Sequence, residues 1–229
     1  MTYNIAGHDE LLDSAHIRKI AAVINEVKPD IVGLQEVHRK TWQSRFRDQL
    51  AELVAATHMH GYFYPSYEQW GGGFGNAILT RGQVLSAVTH PLPSIGEPRT
   101  VIEAVINLDG ATITFFVTHL VTWAQLNRAT RKLQLECLAR HVRTGRYPYI
   151  LAGDFNADPS TPEVQEFRRI NAAQIAGEEI GPTQKQLNKR IDYIFADYGW
   201  EVRGARVIAA GPSDHYPLVA ELIWNRGGS

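Results

Sequence analysis

The sequence predicts an α/β fold in which two β-sheets pack face to face and helices cover their outer faces. Apolar strands and amphipathic helices alternate along all 229 residues, in two similar halves that each run strand, helix, strand. Polar residues follow directly after several apolar strands, where connecting loops would converge on a site. Because the chain has no linker, internal repeat or low-complexity tract, we expect one domain over residues 1–229.

The first half of the chain predicts two strands and two helices. In order these are a strand at 1–5, a helix from Asp13 or Ser14 to just before Pro29, a strand at 31–35 and a helix at 43–57. The first helix carries apolar residues at helical spacing, namely Ile17, Ile20, Ala21, Ile24 and Val27. In the second helix we expect Phe46 to face inward with Leu50, Leu53 and Val54.

The rest of the chain is richer in strands. The predicted elements are strands at 76–80, 85–91, 100–106 and 111–118, a helix at 123–143, a strand at 149–152, a helix from Pro162, and strands at 191–196, 200–207 and 218–223. Turns are expected at residues 71–73 and at Asp109-Gly110. The helix at 123–143 would bury Leu126, Ala129, Leu133 and Cys137.

Composition narrows the class of protein. The chain is 44% hydrophobic and 21% charged, as globular domains are, and no apolar run approaches the roughly 20 residues that cross a bilayer. The single cysteine excludes an intramolecular disulfide and any multi-cysteine metal site. No secretory signal pattern precedes the first strand, which favours a cytoplasmic location; a leader or anchor missing from this sequence would instead place the protein outside or at a membrane.

Charge gives a mixed indication about nucleic acids. The formal net charge is −1, whereas sequence-independent nucleic-acid binders usually carry a basic excess. Residues 124–146 hold six basic residues and one acidic residue, a local net charge of +5. This stretch is either the solvated face of a helix or a local phosphate-binding surface.

Seven short segments place acids, amides or histidines beside apolar strands. They are MTYNIAG with Asn4, VGLQEVH with Glu36, GFGNAILTR with Asn76, FFVTHL with His119, LAGDFNADP with Asp154 and Asn156, KRIDYIFA with Asp192, and GPSDHYPLVAEL with Asp214 and His215. One such acid is ordinarily a turn former or a helix cap. Seven in one chain would be costly to bury unless they share a cation or a hydrogen-bond network.

The ordered set LQEV, GDFNADP, RIDYIF and SDHYPL resembles the endonuclease/exonuclease/phosphatase superfamily of metal-dependent phosphoesterases. The resemblance extends from Asn4 to Leu222. It implies a four-layered α/β/β/α sandwich of the deoxyribonuclease-I-like type. The GNAILTR and VTHL segments look most like bacterial members near the sphingomyelinase and lipid-anchor-remodelling branches.

The predicted metal is Mg²⁺ or Mn²⁺. Glu36 offers a hard oxygen ligand, which suits these ions better than zinc. The resemblance adds Asn4 and Asp214 on the metal side. The alternative for Glu36 is a cap of the following helix.

The resemblance also distributes catalytic roles. Asp154 would activate the attacking water, and Asn156 would hold that water or a phosphoryl oxygen. His215, paired with Asp192, would stabilise the transition state in its protonated form. His119 would add a second donor; abasic-site endonucleases usually carry Tyr at this point, which disfavours that activity.

Further expectations concern residues outside these motifs. Asn76 would orient the neighbours of Glu36 or touch phosphate, and Arg81 is either a substrate contact or a surface ion pair. The aromatic stretch at 62–70 is either a wall beside the cleft or an edge strand with a flexible loop. We expect no site at the remaining histidines, with a loop at His58 and His60 and ordinary surface or boundary positions at His8, His38, His90 and His141.

Together these observations predict a divalent-metal-dependent phosphoester hydrolase, acting on phosphodiesters by in-line attack of water. The alternatives are a nuclease acting on DNA or RNA and a catalytically silent binding module on the same scaffold. The expected substrate is a lipid head group, a small diester or a nucleic acid. We expect a monomer without an obligate protein partner.

Overall fold

The computed structural model describes residues 1–8, 13–69, 71–122, 128–171 and 173–224. Its elements, in chain order, are β1 (Thr2–Asn4), α1 (His16–Val27), β2 (Ile31–Arg39), α2 (Gln49–Thr57), β3 (His60–Gln69), β4 (Gly72–Thr80), β5 (Gln83–Leu92), β6 (Arg99–Leu108), β7 (Ala111–His119), α3 (Arg128–Thr144), β8 (Tyr149–Asp154), α4 (Pro162–Asn171), β9 (Gln174–Ile175), β10 (Asp192–Ala196), β11 (Trp200–Val207) and β12 (Leu218–Trp224). Among these, no helix combines the length and the apolar character needed to cross a membrane.

The strands form two sheets, as predicted, and each sheet has six strands. The first has the order β11-β12-β1-β2-β4-β3, and the second has the order β5-β6-β7-β8-β10-β9. One parallel pair lies inside each sheet, β1 with β2 and β7 with β8, and the other described pairs are antiparallel. Since parallel strands end at the same edge of a sheet, each half of the chain delivers the residues after two strand ends to one place.

Three layers of apolar side chains hold the sandwich together. Helices α1 and α2 cover the first sheet through residues such as Ile20, Ile24 and Leu53. Ile78, Phe115 and Ile194 are among the residues buried between the two sheets. Helices α3 and α4 cover the second sheet through residues that include Leu138, Phe155 and Phe167. The resulting order of layers, helices, sheet, sheet, helices, confirms the predicted α/β/β/α sandwich.

Two details of the first half differ from expectation. Helix α1 begins at His16 behind Ala15, and Asp13 accepts the N–H of Ala15 instead of capping the helix. Helix α2 begins only at Gln49, where Asp48 caps it by accepting the N–H of Ala51. The predicted helix at 43–57 was therefore too long. Phe46, expected inside, is 57% exposed, because Arg45 and Phe46 adopt left-handed backbone conformations that a right-handed helix cannot contain.

The predicted buried face of α3 is wrong at Ala129 and Leu133, whereas Cys137 is partly buried against the core. Leu133 is 52% exposed, Ala129 is exposed as well, and Leu126 lies outside the described residues. The buried face instead contains Arg131 and Gln134 among the apolar residues. A hydrophobic pattern cannot reveal this face, because three of its positions are polar, and Arg131 and Gln134 find hydrogen-bond partners inside the fold.

Candidate active site

Asp154, at the end of β8, is the centre of a buried polar cluster. Its Oδ2 accepts a hydrogen bond of 3.1 Å from Asn4 Nδ2 and lies 3.5 Å from His119 Nε2 and 3.7 Å from His215 Nε2. Its Oδ1 accepts the N–H of Asn156 at 2.8 Å. Residues from four of the predicted segments therefore meet at one carboxylate.

Glu36 joins this cluster through Asn4, whose Nδ2 also donates to Glu36 Oε1 at 2.9 Å. Strand β2 continues past the predicted end at residue 35, and its pairing with β4 shifts between Leu34 and Val37. Glu36 lies in this bulge with φ of +58°, and its carboxylate faces Asn4 at the end of β1. Glu36 thus belongs to an interrupted strand and does not cap a helix.

The bulge is held by a second buried amide, that of Gln49 in the first turn of α2. Gln49 Nε2 donates to the carbonyl of Gly7 at 2.7 Å, and its Oε1 accepts the N–H of His38 at 2.7 Å. A Cβ on Gly7 would lie 2.3 Å from the carbonyl oxygen of Glu36, so only glycine allows the loop after β1 to pass this close.

Electrostatics keep Glu36 ionised. Burial would raise the pKa of its carboxyl, but hydrogen bonds from His8 and Asn4 hold that pKa well below its usual range. His8 Nδ1 lies 3.3 Å from Glu36 Oε2. A carboxylate that stays charged at all physiological pH values is a suitable ligand for a hard cation.

His215 and Asp192 form a buried pair beside Asp154. Asp192 is directly opposite Asp154 in the pairing of β10 with β8, and its Oδ2 lies 2.8 Å from His215 Nδ1. Burial lowers the pKa of His215, but the carboxylates of Asp192 and Asp154 outweigh this effect and raise it to about 10. His215 is therefore a cation at neutral pH.

The same surroundings act on Asp154 in the opposite sense. Burial, reinforced by the negative charge of Asp192, raises the pKa of Asp154 to about 7. A carboxyl group with a pKa near neutral can accept a proton far more readily than an ordinary aspartate can.

His119 is neutral in this arrangement. Burial, together with the charges of Arg99 and His215, holds its pKa well below the usual range. Asn156 Nδ2 can only donate, and it lies 3.0 Å from His119 Nε2 and 3.1 Å from the carbonyl of Leu120. His119 Nε2 consequently accepts, which assigns the ring proton to Nδ1, an atom with no hydrogen-bond partner among the described residues.

The remaining predicted site residues lie at different distances from this cluster. Asp214 contacts Gln184 and Ser213, both at 3.4 Å. Asn76 is buried and donates to the carbonyl of Thr100 at 3.3 Å, which ties the two sheets together. Arg81 follows Thr80, which pairs with Ile31 at the opposite end of β2 from Glu36, so the structure places this exposed side chain apart from the cluster.

Three residues near the site were not predicted. His8 contacts Glu36, although it was expected at an ordinary surface position. Ser213 accepts the N–H of His215 at 3.0 Å and donates to the carbonyl of Asn4 at 2.7 Å. Arg99 is buried beside His119 and pairs with Glu97 at 2.9 Å. Of the three, only Ser213 had a signal in the sequence, its place directly before Asp214-His215.

The aromatic stretch forms the edge strand β3, one of the two predicted alternatives. Its Tyr67 contacts the ring of Phe74 at 5.3 Å and donates to Glu97, the partner of Arg99, at 3.4 Å. Trp70 lies outside the described residues.

The basic stretch belongs largely to α3, in the outer helical layer, and half of its cations face carboxylates. Arg131 is buried and donates to Glu163 at 2.9 Å, and Arg128 lies 3.4 Å from the same carboxylate. Lys132 lies 3.9 Å from Glu136. These pairs reduce the local positive charge that was expected to attract phosphates.

Two groups of side chains offer oxygen or imidazole ligands here. Glu36 provides a charged carboxylate that is 20% exposed. Ligand atoms of Asp154, Asp192 and His215 lie within 4.8 Å of one another, and Asp192 Oδ1 has no hydrogen-bond partner among the described residues. His215 is protonated and donates to Asp192, so the cluster of Asp154, Asp192 and His215 already contains a cation. Glu36 is therefore the better ligand for a hard metal ion. Its carboxylate is a hard oxygen ligand of the kind that Mg²⁺ and Mn²⁺ prefer.

Comparisons with known proteins agree with the geometry. Residues 1–215 match the model of the Endonuclease/Exonuclease/phosphatase family. No curated protein sequence matches the chain.

Solved structures with the same architecture come from several organisms. The chain is similar to an endonuclease/exonuclease/phosphatase from Beutenbergia cavernae DSM 12333, with a TM-score of 0.82 and 24% identity over 97% of this chain and 70% of the other. A mannosyl-6-phosphatase of Bacteroides thetaiotaomicron VPI-5482 gives a TM-score of 0.79 and 20% identity over 97% of this chain and 98% of the other. The catalytic domain of human nocturnin with bound sulfate gives a TM-score of 0.77 and 23% identity over 97% of this chain and 91% of the other. These likenesses establish the deoxyribonuclease-I-like fold.

Proposed function

We propose, since the chain belongs to the endonuclease/exonuclease/phosphatase family, that it is a divalent-metal-dependent phosphoester hydrolase that prefers phosphodiesters. The family consists of metal-dependent phosphoesterases and nucleases. The observation that carries the proposal is the unbroken series of contacts from Glu36 through Asn4, Asp154 and His215 to Asp192. This series would supply a charged metal ligand, a proton acceptor and a cationic donor within one largely buried cluster.

Glu36 would hold the ion, with Asp214 as a further ligand on the metal side, where the resemblance also implies Asn4. Asn4 has its amide nitrogen directed at the carboxylates, and its oxygen already accepts the N–H of Ala6 at 3.1 Å. Its direct contribution is therefore to set the distance between Glu36 and Asp154. When bound, Mg²⁺ or Mn²⁺ supplies polarisation of the phosphoryl oxygens and charge compensation at the leaving oxygen.

Asp154 is the proposed acceptor of the proton of the attacking water. Its pKa of about 7 lets it be ionised at neutral pH and still bind a proton during the reaction. The oxygen of that water attacks phosphorus in line with the ester oxygen, whose bond to phosphorus breaks, and the departing oxygen takes up a proton. Asn156 and Asn4, which bond to Asp154, keep its carboxylate in the orientation that this transfer requires.

His215 would stabilise the negative charge that develops on the phosphoryl oxygens. It is cationic because Asp192 and Asp154 face it, and Asp192 fixes its ring orientation through Nδ1. We propose that His119 adds a second donor to the phosphoryl group, while Asn76 ties the two sheets together through the carbonyl of Thr100.

Charge favours a small diester or a lipid head group over a polynucleotide. The overall charge is −1, and three cations of the basic stretch already face Glu163 or Glu136. The expected position near the sphingomyelinase and lipid-anchor-remodelling branches is consistent with this preference and stays a prediction.

A metal-supplemented activity panel tests the proposal. It compares bis-p-nitrophenyl phosphate, p-nitrophenyl phosphate, plasmid DNA, RNA and sphingomyelin, each with Mg²⁺, with Mn²⁺ and with chelator. We expect chelator-sensitive turnover that is fastest on a diester and that falls by about 10²–10⁴ in Asp154→Asn, the range typical of losing general base catalysis.

Asp109→Asn is the matched control, since Asp109 is exposed in a turn with φ of +50° that Asn tolerates. Turnover that persists in chelator, or that Asp154→Asn leaves near the wild-type rate, would contradict the proposal.

A further inference from the structure

A second group of metal-ligating side chains lies on the outer face of the second sheet, away from Asp154. His90 Nε2 is 2.8 Å from Glu103 Oε2, and the rings of His90 and His141 stack with centroids 4.0 Å apart. Cys137 Sγ lies 3.9 Å from His141 Nε2. We call these four residues the outer cluster.

The fold brings the outer cluster together from three elements. His90 on edge strand β5 pairs with Val101, so that Glu103 on β6, two residues further along, shares its face of the sheet. Cys137 and His141 are four residues apart on α3, which places them on one side of the helix. Strands β6 and β7 separate β5 from β8 and its Asp154.

The donor types differ from those of the active site. Two imidazoles, one carboxylate and one thiol suit zinc and related transition metals, whereas Mg²⁺ prefers oxygen. The side chains of His90 and Glu103 are 25% and 24% exposed, so an ion could enter from solvent and still be largely enclosed.

The distances approach those of a tetrahedral ion. Zinc bonds of about 2.0–2.3 Å place neighbouring donor atoms roughly 3.3–3.6 Å apart. One ligand atom each from His90, Glu103 and His141 already lies within 4.8 Å of the other two. To bind one ion, the hydrogen bond of 2.8 Å must lengthen by about 0.5 Å, and the stacked rings must rotate until both ligand nitrogens face the same point. Cys137 is not part of this 4.8 Å group, so its sulfur, 3.9 Å from His141, must also move toward His90 and Glu103.

We propose that the outer cluster is a structural transition-metal site, with Zn²⁺ as its ion and His90, Glu103, His141 and Cys137 as its four ligands. The ion fastens α3 to the edge strand β5. It is independent of the hard cation at Glu36 and takes no part in phosphoester hydrolysis.

Binding of Co²⁺, a spectroscopic substitute for Zn²⁺, tests this proposal. The full chain is stripped of metal, the Glu36 site is saturated with Mg²⁺, and Co²⁺ is titrated while its visible bands and the near-ultraviolet thiolate band are recorded. Zn²⁺ affinity is then measured by competition with a chromogenic chelator. We expect one ion per chain, intense visible bands of tetrahedral Co²⁺, and a thiolate band that Cys137→Ser removes.

Ligand variants and a matched control identify the site. His90→Ala and His141→Ala should weaken Zn²⁺ binding by more than the roughly 10–100-fold that loss of an outer-shell partner costs. His60→Ala removes an exposed histidine on β3 and should bind Zn²⁺ as the wild type does. Glu36→Gln should also retain this ion.

A thermal readout covers variants that fold poorly. At a hundredfold excess over Kd, Zn²⁺ should raise the wild-type Tm by roughly 5–10 °C, with no rise for His141→Ala, whose metal-free Tm shows whether it is folded. Binding that survives His90→Ala and His141→Ala, binding lost in Glu36→Gln, or no binding in the micromolar range would overturn the proposal. Tight binding without a thiolate band would overturn Cys137 as the fourth ligand.

Discussion

Asp192→Asn isolates the electrostatic part of the proposed mechanism, because it removes one charge and nearly preserves shape. In the wild type, Asp192 lies 2.8 Å from His215 Nδ1 and helps to raise the pKa of that histidine to about 10. It also helps burial to raise the pKa of Asp154 to about 7. Both pKa values should therefore fall in the variant.

The size of the effect follows from the protonated fraction of His215. Without Asp192, burial lowers the pKa of the imidazole and Asp154 raises it, so that the pKa should fall to about the usual value of 6.5. At pH 7.5, a histidine with that pKa is roughly 9% protonated. Since the active form needs ionised Asp154 and protonated His215, kcat/KM at this pH should fall about tenfold or more.

The assay is the pH dependence of kcat/KM for bis-p-nitrophenyl phosphate with saturating Mg²⁺. In the wild type, kcat/KM should rise as Asp154 ionises near pH 7 and should decline only as His215 loses its proton toward pH 10. Asp192→Asn should show both limbs at lower pH, with activity already declining through pH 6.5–7. Asp109→Asn serves again as the exposed control. A variant whose basic limb stays near pH 10 would refute the assignment of that limb to His215.

Three further predictions concern the metal, the fold and the substrate. Glu36→Gln should raise the Mg²⁺ concentration needed for half-maximal activity at least tenfold and lower turnover by about 10² or more. The exposed Glu26→Gln should change neither quantity. Equal Mg²⁺ dependence in both variants would exclude Glu36 as the ligand. Arg131→Met leaves the buried Glu163 with only the more distant Arg128, so it should lower the free energy of unfolding, measured in urea, by about 2–4 kcal/mol. The control Lys132→Met, at an exposed pair, should lower it by less than about 0.5 kcal/mol. Equal losses in the two variants would contradict a stabilising buried pair. Diester turnover should barely change between roughly 50 and 200 mM KCl, and a steep decline would indicate a polyanionic substrate.

The sequence was informative about the elements that bring the site together. Each site segment combines an apolar strand with a polar residue at its end, and the edge at which parallel strands finish is a geometric consequence of that order. For this reason Asn4, His119 and Asp154 could be expected to meet, and they do. Their chemical roles stay predictions.

The sequence did not predict local features that depend on tertiary contacts between distant residues. Glu36 was expected just beyond the end of a strand. Strand β2 instead continues past it through a bulge, which the buried Gln49 of helix α2 holds in place. The burial of Arg131 depends on Glu163, 32 residues away. His8 and Arg99 carry no spacing signal, because their importance comes from neighbours that the chain places beside them only on folding.

The residues of the outer cluster also could not be predicted from the sequence to lie next to one another. His90 and His141, which are 51 residues apart, were expected at ordinary surface or boundary positions. Their rings nevertheless stack at 4.0 Å. Only the packing of α3 on the edge of the second sheet makes them neighbours.

The most direct test of the whole account is the binding of Mn²⁺ followed by electron paramagnetic resonance, in the wild type and in two variants, with Zn²⁺ present to fill the outer cluster. We predict one bound Mn²⁺ in the wild type, loss of that ion in Glu36→Gln, and its retention in Asp192→Asn. Retention in Glu36→Gln together with loss in Asp192→Asn would move the metal to Asp154, Asp192 and His215, and would contradict both the cationic histidine and the proton acceptor assigned here.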